Sequence, residues 1–105
     1  MRYRFRKEHK FRARQTIVDG HKFPSEKEAR RYIELRLLER AGQITELDIQ
    51  PRFDLIAGIS YVADFRYKEG DKVVIEDTKG YQTPEFRLKL KLFKHFYPHA
   101  DLRIL

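Results

Sequence analysis

The stretch Ile59-Ser60-Tyr61-Val62-Ala63-Asp64-Phe65-Arg66-Tyr67-Lys68-Glu69-Gly70-Asp71-Lys72-Val73-Val74-Ile75-Glu76-Asp77-Thr78-Lys79-Gly80 decides the fold. Two runs rich in aromatic and β-branched residues, 61–67 and 73–78, flank the dipeptide Gly70-Asp71. Such runs around a two-residue Gly-Asp link predict an antiparallel hairpin with a primed turn. With Gly70 and Asp71 as the loop, Glu69 faces Lys72, Asp64 faces Asp77 and Val62 faces Lys79. Directly opposed side chains stand about 4.5–5.5 Å apart on one face, where like charges repel. A strand pair gains nothing from two carboxylates there unless a cation or a shared proton joins them. Lys79 shares that face with Asp77, because side chains alternate with period two. A three-residue loop would instead set Glu76 opposite Asp64 and turn every side chain to the other face. Asp77 is preferred because it shares a face with Lys79 in either register, and Glu76 stays open as the alternative. The plainer reading, charges solvated at a strand end, must contend with Val73-Val74-Ile75, Ala63 and Phe65, apolar residues among which these charges sit.

Outward from the hairpin, punctuation marks the other elements. Asp19-Gly20 between short apolar stretches predicts a small hairpin or tight turn. Ser25 followed by Glu28 reads as a capping box opening a helix over 26–41, with Gly42 as its stop. Glu28, Tyr32, Leu35 and Glu39 share one stripe of that helix, so Glu28 is either a cap alone or a carboxylate at the start of a partly apolar face. Residues 44–48 read as a link or short strand entry and 49–56 as a strand, which Pro51 assigns to an edge or to its own start. Thr83 and Pro84 open a second helix, whose core stripe is Phe86, Leu90, Phe93 and Tyr97, broadened by Leu88, Leu92 and Phe96. Lys89 falls inside that apolar arc: it either snorkels out or carries its ammonium to the anionic site on the sheet. Pro98 ends the helix, and residues 101–105 supply a last strand. The order is helix, three strands, helix, strand, an α/β arrangement on a small mixed sheet.

Composition narrows the function. With 105 residues the chain holds one small core, so a basic arm, 1–14, followed by a single domain, 15–105, is expected. It has no cysteine, which excludes disulfide frameworks and thiolate metal sites. The four histidines show no metal-ligand spacing. No apolar run reaches the roughly 20 residues of a membrane span and no secretory leader is visible, so a cytoplasmic protein without membrane contact is expected. The net charge is +7, and Arg2, Arg4, Arg6, Lys7, Lys10, Arg12 and Arg14 against Glu8 put +6 of it in the arm. A basic arm on a near-neutral domain points to a polyanion, nucleic acid first. Tyr3, Phe5 and Phe11 among these cations could stack on bases or pack the arm down.

The order of elements, with Asp64 and then Asp77-Thr78-Lys79 on the next strand, resembles the PD-(D/E)xK nuclease superfamily. So do the segments around Asp19-Gly20, Phe23-Pro24-Ser25-Glu26-Lys27-Glu28, Gln50-Pro51-Arg52-Phe53 and residues 61–65 with 76–80. Together they look like a group of small phage and prophage proteins similar to the endonuclease subunit of heteromeric transposases. Ala63 stands where the superfamily's name has Pro. The resemblance spans about 15–105 and implies a restriction-endonuclease-like α-β-β-β-α-β core. It implies Asp64, Asp77, Lys79 and Glu28 as site residues and a phage-encoded endodeoxyribonuclease working in the host cytoplasm.

For that activity Asp64, Asp77 and the Thr78 carbonyl would hold Mg²⁺ or Mn²⁺, and Glu28 a metal-bound water or a second ion. Lys79 would orient the attacking water and offset charge on the phosphate, with Lys89 as an auxiliary cation. The arm would grip the DNA backbone without reading sequence. The rivals are a DNA-binding module that keeps the fold without cleaving, and a structural or partner-binding phage protein. Duplex, junction, flap, single-stranded and other recombination or replication substrates all stay open, as does pairing into a homodimer.

Overall fold

The computed structural model describes residues 15–105. The first elements are strands β1 (Thr16–Val18) and β2 (His21–Phe23), an antiparallel pair in which Thr16 faces Phe23 and Val18 faces His21. The turn between them holds Asp19 at φ 51° and Gly20 at φ 79°, the double left-handed geometry of a type I′ hairpin, for which Asp-Gly is suited. Helix α1 (Glu26–Arg40) follows. Ser25 caps its start, the Glu28 amide donating to Ser25 Oγ at 3.1 Å, which is the serine half of the expected capping box. Its end is a Schellman motif: the Gln43 amide reaches the Leu38 carbonyl at 2.9 Å and the Gly42 amide the Glu39 carbonyl at 3.1 Å, with Gly42 at φ 77°.

The chain divides into two compact units, with the boundary between Leu37 and Leu38. In the first, the Phe23 and Tyr32 rings stand 5.1 Å apart and the Tyr32 hydroxyl donates to Asp19 Oδ2 at 3.0 Å. Helix and hairpin are tied together there.

The second unit, Leu38–Leu105, contains β3 (Thr45–Ile49), β4 (Arg52–Asp54), β5 (Ser60–Val62), β6 (Phe65–Glu69), β7 (Lys72–Asp77), helix α2 (Pro84–Phe96) and β8 (Asp101–Ile104). Strands β3, β6, β7 and β8 form one sheet in that order, antiparallel except for the β7–β8 pair, which is parallel. Helix α2 is the crossover that a parallel neighbour requires. The structure is thus mixed α/β, with a small sheet and two helices. The central hairpin has the expected register: Glu69 pairs with Lys72 and Phe65 with Glu76 across a two-residue turn. Gly70 takes φ 62° while Asp71 does not go left-handed, as in a type II′ turn.

The strand expected over 61–67 divides into β5 and β6 at Ala63-Asp64. Of the strand expected over 49–56 only β4 forms beyond a break at Gln50-Pro51, while β3 occupies the segment read as a link or short strand entry. The breaks face one another. The Gln50 amide donates to the Asp64 carbonyl at 2.8 Å and the Ala63 amide to the Pro51 carbonyl at 3.1 Å, with Gln50 at φ 53°. Beyond the bend β5 pairs with β4 and leaves β7, so Val62 lies opposite Arg52 and not Lys79.

One face of this unit carries the core: Phe53, Tyr61, Ala63 and Ile75 from the strands against Phe86, Leu90 and Phe93 of α2. The rings make edge contacts, Phe53 to Phe93 at 4.9 Å and Tyr61 to Phe93 at 5.4 Å, geometry that aromatic quadrupoles favour. The buried stripe of α2 is narrower than expected. Leu88 and Phe96 remain exposed, and Tyr97 sits at the margin with its hydroxyl donating to the Asp54 carbonyl. No helix of the described residues is long and apolar enough to cross a membrane.

Candidate functional site

The site grows from the end of β7, where the strand runs on past its ladder with β6. Asp64 sits at the bend, and its amide still donates to the Glu76 carbonyl at 3.0 Å. Its carboxylate then does the work of a ladder partner: Oδ2 accepts from the Thr78 amide at 2.6 Å and from Thr78 Oγ1 at 2.7 Å. These two bonds, one from the backbone and one from the hydroxyl, tie Asp64 to the residue just past β7.

Asp77 is 1% exposed. Its Oδ1 accepts from the Lys79 amide at 3.1 Å and its Oδ2 from the Tyr61 hydroxyl at 2.7 Å. Burial pushes the Asp77 carboxyl above the usual aspartate range and the Asp64 charge pushes it further, while the Tyr61 hydroxyl and Lys79 pull it back. Burial, then the bond to Asp77, raises the Tyr61 hydroxyl in turn. The Asp64 charge thus acts on Asp77 although the paired register ends at Phe65 and Glu76.

Glu76 alternates to the other face of β7. It is fully buried and accepts from the Tyr67 hydroxyl. Of the two candidate acids, Asp77 is the one set against Asp64.

Lys79 is exposed, with its ammonium 5.1 Å from the Phe86 ring centroid, a cation–π distance. Lys89 is half-buried and pairs with Glu85 at 3.4 Å, one helical turn away. Both lysines line a cleft of about 310 Å³ together with Ser60, Tyr61, Val62, Thr83, Phe86 and the acid Glu85. The Thr83 hydroxyl caps α2 by accepting from the Phe86 amide at 3.1 Å, which seats the first turn of the helix beside the cleft. Asp64, Asp77, Thr78, Lys79 and Lys89 thus come together within one unit. Glu28 is 4% exposed and belongs to the other unit. Arg2, Arg4, Arg6, Lys7, Lys10, Arg12 and Arg14 lie outside the described residues.

Tyr61 was not singled out from the sequence. A straight hairpin would carry it past the end of β7; the bend at Ala63-Asp64 is what returns its hydroxyl to Asp77. The available signal is a tyrosine beside Val62 and Ala63, whose hydroxyl needs a partner when buried.

Residues 8–105 match a family described as "Protein of unknown function (DUF1064)". The chain belongs to this family. No curated protein and no solved structure matches it.

Mg²⁺ and Mn²⁺ take oxygen ligands, and usually keep several waters. Asp64 Oδ1 accepts no hydrogen bond among the described residues, and each Asp77 oxygen accepts one and keeps a lone pair. No group of three or more His, Cys, Asp or Glu suited to a metal occurs among the described residues. The donor set that fits is thus a two-carboxylate one, with water and substrate oxygen completing the shell.

Proposed function

We propose that this protein is a Mg²⁺- or Mn²⁺-dependent endodeoxyribonuclease with a restriction-endonuclease-like core. Counting each bent strand once, the elements from α1 run α-β-β-β-α-β, with Asp64 on the second strand and Asp77-Thr78-Lys79 at the end of the third. The observation that carries the reading is the geometry past the end of β6: Asp64, held by Thr78, beside the buried Asp77, held by Tyr61 and the Lys79 amide, with Lys79 and Lys89 lining the neighbouring cleft. A fold has little use for a buried carboxylate set near a second, half-buried one; a cation-dependent site has.

When bound, the divalent ion supplies a water of lowered pKa and polarises a phosphoryl oxygen. Asp64 and Asp77 hold the ion. The Thr78 amide and hydroxyl keep Asp64 in place, and Lys79 offsets the charge that gathers on the phosphate as the bond breaks. Lys89 contacts a phosphate oxygen inside the cleft, its pairing with Glu85 giving way to the substrate. The proposal rests on residues of Leu38–Leu105 alone.

A supercoiled-plasmid assay tests it. Nicking with Mg²⁺ or Mn²⁺ and none in EDTA is expected. DNA binding without cleavage under every metal condition overturns the enzyme reading in favour of a DNA-binding module. Comparing duplex, flap, junction and single-stranded substrates then names the DNA form.

A further inference from the structure

We infer that Tyr61 is a positioning residue: its hydroxyl, bonded to Asp77 Oδ2, holds that carboxylate in the orientation in which it and Asp64 take a divalent cation. The inference rests on the nuclease reading above. Packing alone explains the ring and not the oxygen. Tyr61 is 2% exposed, and its ring lies 6.2 Å from those of Phe53 and Phe86 and 5.4 Å from Phe93. A phenylalanine would satisfy that cluster. Among the described residues the hydroxyl has one hydrogen-bond partner, Asp77, at 2.7 Å.

A carboxylate on two rotatable bonds turns freely unless both oxygens are held. The Lys79 amide holds Oδ1 at 3.1 Å and Tyr61 holds Oδ2, so one donor just past β7 and one from β5 fix the plane of the group. The two donors have different consequences. The amide is backbone and survives any side-chain change, whereas the phenol can be removed by one substitution. A neutral hydroxyl also lessens the repulsion between Asp77 and Asp64 without a fixed positive charge that would compete with the metal. Tyr61 reaches this place because β5 turns away from β7 at Ala63-Asp64, and it also lines the cleft shared by Lys79 and Lys89. Partners that orient a metal ligand commonly matter by about 10–100-fold in metal affinity.

The test is Mn²⁺ binding to the full chain at one neutral pH, read from the electron-spin resonance of free Mn²⁺, with Tyr61→Phe and Asp77→Asn beside the parent. The parent is expected to bind, Asp77→Asn to bind far more weakly, and Tyr61→Phe to bind about 10–100-fold more weakly while its melting stays cooperative. A second readout is the ultraviolet absorption of the parent during a Mg²⁺ titration. A tyrosine band that shifts with saturation, and does not shift in Tyr61→Phe, supports the inference. Equal Mn²⁺ affinity in parent and Tyr61→Phe overturns it while leaving the nuclease reading intact. A parent that binds no Mn²⁺, or one unaffected by Asp77→Asn, overturns that reading and the inference with it. Should Tyr61→Phe fail to fold, the parent's absorption decides: no tyrosine shift on metal binding overturns the inference.

Discussion

At Asp77, burial and the Asp64 charge pull one way and hydrogen bonding the other, and the balance leaves its carboxyl raised. A raised folded-state value means that the folded chain keeps this proton to higher pH than the unfolded chain does. Within that window the native state binds more protons, so stability falls as pH rises through it. Above the window the cost of the buried charge is fully present; below the ordinary aspartate range, near about 3.9, it is absent. Asp77→Asn removes the cost and keeps the geometry, since the amide oxygen can accept from Lys79 and the amide nitrogen donate to the Tyr61 oxygen. The expected result is a variant that cuts no DNA yet melts higher than the parent at neutral pH, by about 4–8 °C for each kcal/mol in a domain of this size. Its advantage should shrink as pH is lowered toward the ordinary aspartate range. A melting point below the parent's at neutral pH would show that the two hydrogen bonds outweigh the burial cost. Glu76→Gln is the contrast: it should cut, because Glu76 faces Tyr67 and not Asp64. A dead Glu76→Gln beside an active Asp77→Asn would reverse the assignment of the metal acid.

Among the elements, what was legible follows from how locally each signal acts. Asp19-Gly20 and Gly70-Asp71 fix their turns through backbone angles that few other residues adopt, and a two-residue loop pins the register of the strands it joins. That is why the pairing of Phe65 with Glu76 and of Glu69 with Lys72 could be read directly, while at Asp64 the ladder gives way to the bend. The bend could not be. It depends on Gln50-Pro51 meeting Ala63-Asp64 across the sheet, and Pro51 signalled only half of that encounter. The width of the buried stripe on α2 was hidden for a related reason: Leu88 and Phe96 are as apolar as Leu90 and Phe93, and only packing distinguishes them. The ends of α2 were clear, Thr83 with Pro84 opening it and Pro98 lying just beyond. That start has an energetic consequence. Thr83→Ala leaves the Phe86 amide without its side-chain acceptor and should cost roughly 0.5–2 kcal/mol in denaturant unfolding, while Thr83→Ser restores most of it. No loss in Thr83→Ala would mean that solvent caps the helix equally well.

Across the whole molecule, charge and chemistry are kept in different parts of the sequence. Residues 15–105 carry a net +1, and the cleft's own cations are few, with Lys89 already paired to Glu85. On the proposed reading the acids and lysines of the candidate site act on one phosphate, and they are poorly supplied to hold a long polyanion. The remaining +6 sits on residues 1–14. Each phosphate neutralised by such cations releases condensed counterions, so the logarithm of DNA affinity should fall with the logarithm of salt by about 0.9 per phosphate on duplex DNA. Replacing Arg2, Arg4, Arg6, Lys7, Lys10, Arg12 and Arg14 by Gln in the full chain takes the net charge from +7 to 0. The expected outcome is weaker binding, with a slope flatter by about 0.9 for every phosphate the chain no longer neutralises. The weakening should be the same on unrelated sequences, because phosphate binding carries no base information. Cleavage at saturating DNA should change little, since none of the seven belongs to Leu38–Leu105, where the carboxylates and lysines of the site lie. A salt slope that stays where it was would mean that the arm does not hold DNA, and that the backbone is gripped by the exposed lysines and arginines of residues 15–105 instead.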